Sequence, residues 1–192
     1  MILLVLIGSY FLGNVLTGPI ISKLFYKQEI RDKGSGNPGA RNIGRLYGKK
    51  AFVITFIGDA MKGMLVIFTA QSLDLGSEIE LFTLFAVTLG HVYPILFKFR
   101  GGKGISTFIG GLLLFNPLVV AVFISIFLIV YPFIKSFTIA GVGAVSSLPV
   151  ILLLFSYEQF TLLAACLLSG LVLLAHRENL KEKTCRRKGR DS

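Results

Sequence analysis

From Gly104 to Ile134 the chain runs for 31 residues without a charged side chain, and a lipid bilayer is the solvent that such a run fits. Backbone N–H and C=O groups in hydrocarbon have no water to bond, so they must be satisfied within helices. About 20 apolar residues cross a hydrocarbon core about 30 Å thick. Residues 1–25, 51–73, 79–97, 104–134 and 136–175 all approach or exceed that length, and the last divides at the polar break Ser156, Tyr157, Glu158, Gln159. Composition agrees: of 192 residues, 54% are hydrophobic and 16% charged, with a mean hydropathy of +0.76, which excludes a soluble domain of this size. The first stretch lacks a basic n-region and is longer than a signal-peptide core, so it is expected to remain as a span. The expectation is an all-α, polytopic membrane protein, with residues 1–192 forming one integral membrane domain.

Lys and Arg in short loops mark the cytoplasmic side. Of the 20 Lys and Arg residues, seven lie in 26–50, three in 98–103 and seven after His176, whereas 71–80 has none. The N-terminus is therefore expected outside and the C-terminus in the cytoplasm of a bacterial inner (plasma) membrane. Leaving the cytoplasm at Lys103 and returning by Arg177 requires an even number of crossings. Asn116-Pro117 is a turn signal inside the apolar run, because Pro cannot donate a helical hydrogen bond. Two short helices, about 105–115 and 118–134, restore parity and give seven transmembrane helices. Five full spans plus a re-entrant hairpin is the geometric variant. The +10 charge follows from this topology and from attraction to anionic lipid. Nucleic acid is excluded as a partner, since the charge is divided among interhelical loops without aromatic interleaving.

Three polar constellations interrupt the apolar chain. The first is Gly34, Ser35, Gly36, Asn37, Pro38, Gly39, Ala40, Arg41, Asn42, followed by Arg45 and Gly48. Glycines can turn backbone N–H groups toward an anion while Ser, Asn and Arg add donors, although a Gly-rich loop can also be merely flexible. The second runs from Gly90, His91, Tyr93 and Pro94 to Arg100, Gly101, Gly102, Lys103 and Gly104. Glycines, a lysine and a helix N-terminus converge there as a second anion cradle. The full spacing of a nucleotide P-loop is missing. The third is His176, Arg177, Glu178, Asn179, with His176 and Asn179 on one helical face. A lone histidine there also fits a capping role.

Asp59 and Lys62 stand one turn apart at membrane depth, as a helix-gluing ion pair or as site lining. The two histidines form no Cys/His cluster, so no metal centre is expected. Cys166 and Cys185 sit in unlike surroundings and are read as free thiols.

GSGNPGARN, GHVYPILFKFRGGKG and HRENL, in that order, resemble the motifs of the PlsY family of bacterial membrane acyl phosphate:glycerol-3-phosphate acyltransferases, and the resemblance covers essentially the whole chain. It implies transfer of a fatty acyl group from fatty acyl phosphate to the 1-hydroxyl of glycerol 3-phosphate, giving lysophosphatidic acid and phosphate in phospholipid synthesis, with no cofactor, metal or coenzyme A and no obligate protein partner. The catalytic residues implied are Ser35, Lys103, His176 and Asn179; those implied to bind substrate are Asn37, Arg45, Gly101, Gly102 and Gly104. Two positions depart from the family pattern. Arg41 stands where a smaller polar residue is usual, and Glu182 where a basic one is, with Lys181 or Lys183 as substitutes. The H-x-x-x-x-D pattern of other glycerolipid acyltransferases is not met, because the corresponding residues are Leu96 and Lys181.

Overall fold

The computed structural model describes residues 1–188, with side chains as far as Lys181. Glu182, Lys183, Cys185, Arg186, Arg187, Lys188 and Arg190 lie outside the described side chains. The elements are α1 (Ile2–Gly13), α2 (Thr17–Tyr26), a 3₁₀ turn at Ile30–Asp32, α3 (Ala40–Tyr47), α4 (Lys49–Ser72), α5 (Gly76–Val92), a second 3₁₀ turn at Ile95–Phe97, α6 (Ile105–Phe115), α7 (Pro117–Ile134), α8 (Phe137–Ser146), α9 (Leu148–Leu154) and α10 (Gln159–Lys188). No strand occurs among the described residues. Among the described residues, six segments are long and apolar enough to span: Ile2–Tyr26, Lys49–Ser72, Gly76–Phe97, Pro117–Ile134, Phe137–Leu154 and Gln159–Lys181. Large apolar side chains such as Leu4, Phe11, Met61, Phe68, Phe133 and Leu154 are exposed, as lipid-facing residues are.

Three boundaries differ from the sequence expectation. Of the two helices expected to be short, only α6 is, with 11 residues; α7 reaches 18, and Pro117 opens it instead of preceding it. A proline at the first helical position loses no hydrogen bond, because that N–H has no partner in any helix. The residue before a proline is driven out of the α region, and Asn116 is accordingly extended (φ −159°, ψ 107°). The first stretch is broken at Asn14 to Leu16, and the stretch after Ser136 is divided at Ser147.

The chain forms two compact units. In the first, Met1–Pro117, α1 packs on α5 and α6 on α4. Glycines set both contacts: a side chain at Gly13 would collide with the carbonyl of Val87, and one at Gly63 with that of Thr107. Small residues let helix backbones approach closely where lipid offers no hydrophobic drive to associate. In the second unit, beginning at Leu118, α10 packs on α8 and α9. Ala164, Ala165, Leu168 and Val172 are fully buried there, and the Ser169 hydroxyl donates to the Val145 carbonyl (3.0 Å).

Candidate active site

The break in the first span organises the membrane part of the site. Continuing α1 through Pro19 would leave the Val15 carbonyl without its i+4 N–H and set the pyrrolidine ring against it. The chain turns instead, and the orphaned Val15 carbonyl accepts from Lys62 Nζ at 2.6 Å. On the other side of the break, the Thr17 N–H, at the start of α2, donates to Asp59 Oδ1 (3.3 Å). A cation thus meets the carbonyl end of one helix and an anion the N–H end of the next, the arrangement that helix dipoles favour. Lys62 and Asp59 also pair with each other (3.1 Å), with side chains 6% and 2% exposed. Of the two readings open in the sequence, the helix-gluing ion pair is present.

Lys62 reaches a third partner, Nδ1 of His91, at 3.1 Å. His91 is 3% exposed and lies directly beneath the second glycine-rich loop. Its carbonyl accepts from the Gly102 N–H (3.0 Å), and a side chain at Gly102 would occupy the place of the imidazole Nε2. Gly101 is pressed on the carbonyls of His91 and Val92, so a Cβ is excluded there too. Gly104 (φ +78°) enters α6 in the left-handed region, where a non-glycine residue is strained. No side chain caps α6, so its first-turn amides are left without a capping side-chain acceptor, and Lys103, two residues before the helix, is half-buried.

The first glycine-rich loop is built differently from the expectation that its amides would face an anion. The Ser35 N–H donates to Asn42 Oδ1 (3.0 Å), the Gly36 N–H to the Lys33 carbonyl (3.0 Å) and the Gly39 N–H to Asn37 Oδ1 (2.7 Å). Three backbone donors are therefore spent on the loop itself. Asn42, 3% exposed, also donates to the Lys33 carbonyl (3.1 Å), so it is the internal brace of the loop. The side chains of Ser35 and Arg45 are left exposed, and Asn37 is half-buried. Arg45 lines an open cleft of about 470 Å³ with Arg41, Lys49, Gly44, Phe52 and Val53, where cationic heads border an apolar floor.

Arg31 joins the two loops. Its Nε donates to the Arg100 carbonyl (3.3 Å), its guanidinium lies 4.6 Å from the Phe97 ring centroid and its Nη1 pairs with Glu29 (3.1 Å). Burial raises the Glu29 pKa, but the Arg31 N–H and the nearby Lys23 and Arg31 charges outweigh it and hold the carboxyl below its ordinary value. Sequence reasoning counted Arg31 only as one more loop charge. The signal available to it was position alone, three residues before Gly34.

His176 and Asn179 stand on α10 of the second unit. His176 is 7% exposed, and its Nδ1 donates to the Val172 carbonyl one turn back (2.8 Å), which fixes the ring. Asn179 is half-buried. Cys166 is an exposed free thiol, and among the described residues no group of three or more His, Cys, Asp or Glu could hold a metal.

A polytopic helical protein with two glycine-rich, lysine- and arginine-bearing loops clasped together at the end of its spans is an integral membrane protein equipped for phosphorylated ligands. Residues 3–185 match the glycerol-3-phosphate acyltransferase family, and the chain belongs to it. It is 47% identical over 175 residues to glycerol-3-phosphate acyltransferase 1 from a strain of Bacillus cereus, covering 91% of this chain and 94% of that one. It is 37% identical over 183 residues to the glycerol-3-phosphate acyltransferase from a strain of Pseudomonas aeruginosa, covering 95% of each. The fold is similar to a crystal structure of PlsY (YgiH), an integral membrane glycerol 3-phosphate acyltransferase, in its glycerol 3-phosphate form. The TM-score is 0.88 at 32% identity, over 97% of this chain and 93% of that one. The lysophosphatidic acid form of the same enzyme matches with a TM-score of 0.86.

Proposed function

We propose that this protein transfers a fatty acyl group from acyl phosphate to the 1-hydroxyl of glycerol 3-phosphate, giving lysophosphatidic acid and inorganic phosphate for phospholipid synthesis. The observation that carries this reading is the joining of two glycine-rich loops through Arg31, in a chain whose family acts on glycerol 3-phosphate by name. A reaction between two phosphorylated substrates calls for two anion-holding elements side by side. Gly101, Gly102, Lys103 and Gly104 hold one phosphate. Ser35, Asn37 and Arg45 serve the other substrate, and the cleft of Arg41, Arg45, Lys49, Phe52 and Val53 has the chemistry of an anionic head on an apolar tail. By the motif they carry, His176 and Asn179 orient glycerol 3-phosphate. The distribution of Lys and Arg assigns the loops to the cytoplasmic face of the inner membrane, with residues 1–192 acting as one catalytic domain.

The 1-hydroxyl oxygen bonds to the acyl carbonyl carbon, the resulting oxyanion collapses, and the bond to the phosphate oxygen breaks. Lys103 and the α6 amides neutralise the departing phosphate, which lowers the demand for a strong base. The hydroxyl proton passes to a phosphate oxygen, whose second pKa lies near 6, so the step requires no covalent enzyme intermediate. Purified protein given palmitoyl phosphate and glycerol 3-phosphate is expected to release phosphate and lysophosphatidic acid. Turnover with acyl-coenzyme A alone would refute the reading. A phosphate transporter is the rival class, and it would show counterflow in proteoliposomes without any product.

A further inference from the structure

The imidazole of His91 is assigned no part in the reaction above, yet its surroundings fix its proton and its direction. Lys62 has only donors, so the bond between its ammonium and His91 Nδ1 makes Nδ1 an acceptor. The ring proton therefore sits on Nε2. The tautomer is held from behind, because Lys62 is itself anchored to Asp59 and to the Val15 carbonyl. Nε2–H has no hydrogen-bond partner among the described residues, although the side chain is only 4% exposed. It is directed at Gly102, at the place where any larger residue would put its Cβ.

A donor held in a nearly buried side chain and left without a protein acceptor is available to a ligand that reaches it. Thr88 repeats the pattern one turn earlier on α5. It is fully buried, its methyl faces Gly104 of the same loop, and its Oγ1 has no partner among the described residues. The underside of the Gly101–Gly104 loop thus carries Thr88 Oγ1, buried without a partner among the described residues, and His91 Nε2–H, unpartnered and set against Gly102.

We propose that His91 is an anion-binding donor of this cradle, presenting Nε2–H to a phosphoryl oxygen through the opening that Gly102 leaves. This rests on the reading of Gly101–Gly104 as the phosphate cradle. Gly102 is then required for two reasons: its N–H ties the loop to the His91 carbonyl, and its missing side chain keeps the donor uncovered. The Asp59–Lys62 pair acquires a second role, holding the imidazole in the tautomer that donates upward.

The test uses the intact protein in lipid nanodiscs. The chain has two histidines, so ¹⁵N labelling of the imidazoles yields two sets of signals, and a His176→Gln variant identifies which is which. His91 is expected as the Nε2–H tautomer, with that N–H resonance moving when inorganic phosphate or glycerol 3-phosphate is added. Two substitutions supply the binding arm by calorimetry with glycerol 3-phosphate. His91→Gln, which keeps a side-chain N–H at the reach of Nε2, should bind within about threefold of the parent. His91→Phe, which fills the volume without a donor, should bind at least about tenfold more weakly. A proton on Nδ1, an Nε2–H unmoved by either ligand, or equal loss in both variants would overturn the proposal. Acyl transfer is read separately. A phosphate-dependent His91 signal in protein that fails to use acyl phosphate refutes the reaction and leaves the donor standing; normal turnover with an unmoved His91 does the reverse.

Discussion

Two lysines in this protein carry the same charge to opposite ends. Lys62 is buried and acts as structure, bonded to Asp59, to the Val15 carbonyl and to His91. Removing one member of a buried pair leaves an uncompensated charge and costs about 3–5 kcal/mol, whereas removing both is far milder. Lys62→Met is therefore expected to lower the thermal midpoint in nanodiscs more than the double variant Asp59→Leu/Lys62→Met. A double variant worse than either single one would mean the pair does not hold the break in the first span. Lys103, half-buried at the start of α6, is assigned to a substrate phosphate. Charge-assisted hydrogen bonds of that kind are worth about 1.5–3 kcal/mol, so Lys103→Ala should cost at least about tenfold in kcat/KM. Lys50→Ala, an exposed charge of the same sign at the start of α4, should stay within about twofold. Equal losses would reduce the cradle to general basicity.

Among the elements, the apolar helices were legible because lipid leaves the chain no alternative to them, and the turn at Asn116 was legible because proline constrains its neighbour. The break at Asn14 to Leu16 was not, although Pro19 marks it. Proline near a helix start is tolerated, and only the partners on α4 show which of the two situations holds. The first glycine-rich loop was legible as a motif, but the destination of its backbone donors was not. Whether an amide faces a ligand or a neighbouring carbonyl depends on φ and ψ, and Asn37 and Asn42 take up donors that a sequence string leaves open. Arg31 was illegible for a similar reason, since its contact with Arg100 spans 69 positions. That contact carries a prediction. Arg31→Lys keeps the charge but loses the planar stacking on Phe97 and the fixed Nε, so it should raise KM for glycerol 3-phosphate several-fold with a smaller change in kcat. An unchanged KM would show that the two loops do not depend on the clasp. Glu29 gives the clasp its pH dependence. Its folded pKa lies below the ordinary 4.5, so the carboxylate's stabilising share is present above that value and lost as pH falls through the lowered one. Backbone amide exchange in residues 29–39, corrected for its intrinsic pH dependence, should accelerate on acidification below about pH 4.5 in the parent and show no such step in Glu29→Gln.

At the scale of the whole molecule the prediction concerns direction across the membrane, for which Lys and Arg counts give a cytoplasmic placement of both loops. Seven basic residues in 26–50 and three in 98–103 flank the first-unit helices on one side, and the connection 71–80 has none. The helix α4 joins these two environments without a break over 24 residues, long enough at 1.5 Å per residue to cross a bilayer once. Its two ends therefore report opposite faces. Lys50 and Ser72 are both exposed and serve as probe positions. In a background with Cys166 and Cys185 replaced by Ser, Lys50→Cys should react with a membrane-impermeant maleimide only when the cytoplasmic side is opened, as in inverted vesicles. Ser72→Cys should react in intact spheroplasts. Because Lys50 lies outside the residues assigned to substrate, acyl transfer by Lys50→Cys serves as the check that each labelled preparation is folded. The reverse pattern would put Ser35, Arg45 and Lys103 on the outer face, away from a cytoplasmic supply of glycerol 3-phosphate, and would refute the cytoplasmic site while leaving the fold unchanged. Labelling of both positions from both sides would mean mixed insertion, which a lysine and arginine asymmetry of this size argues against.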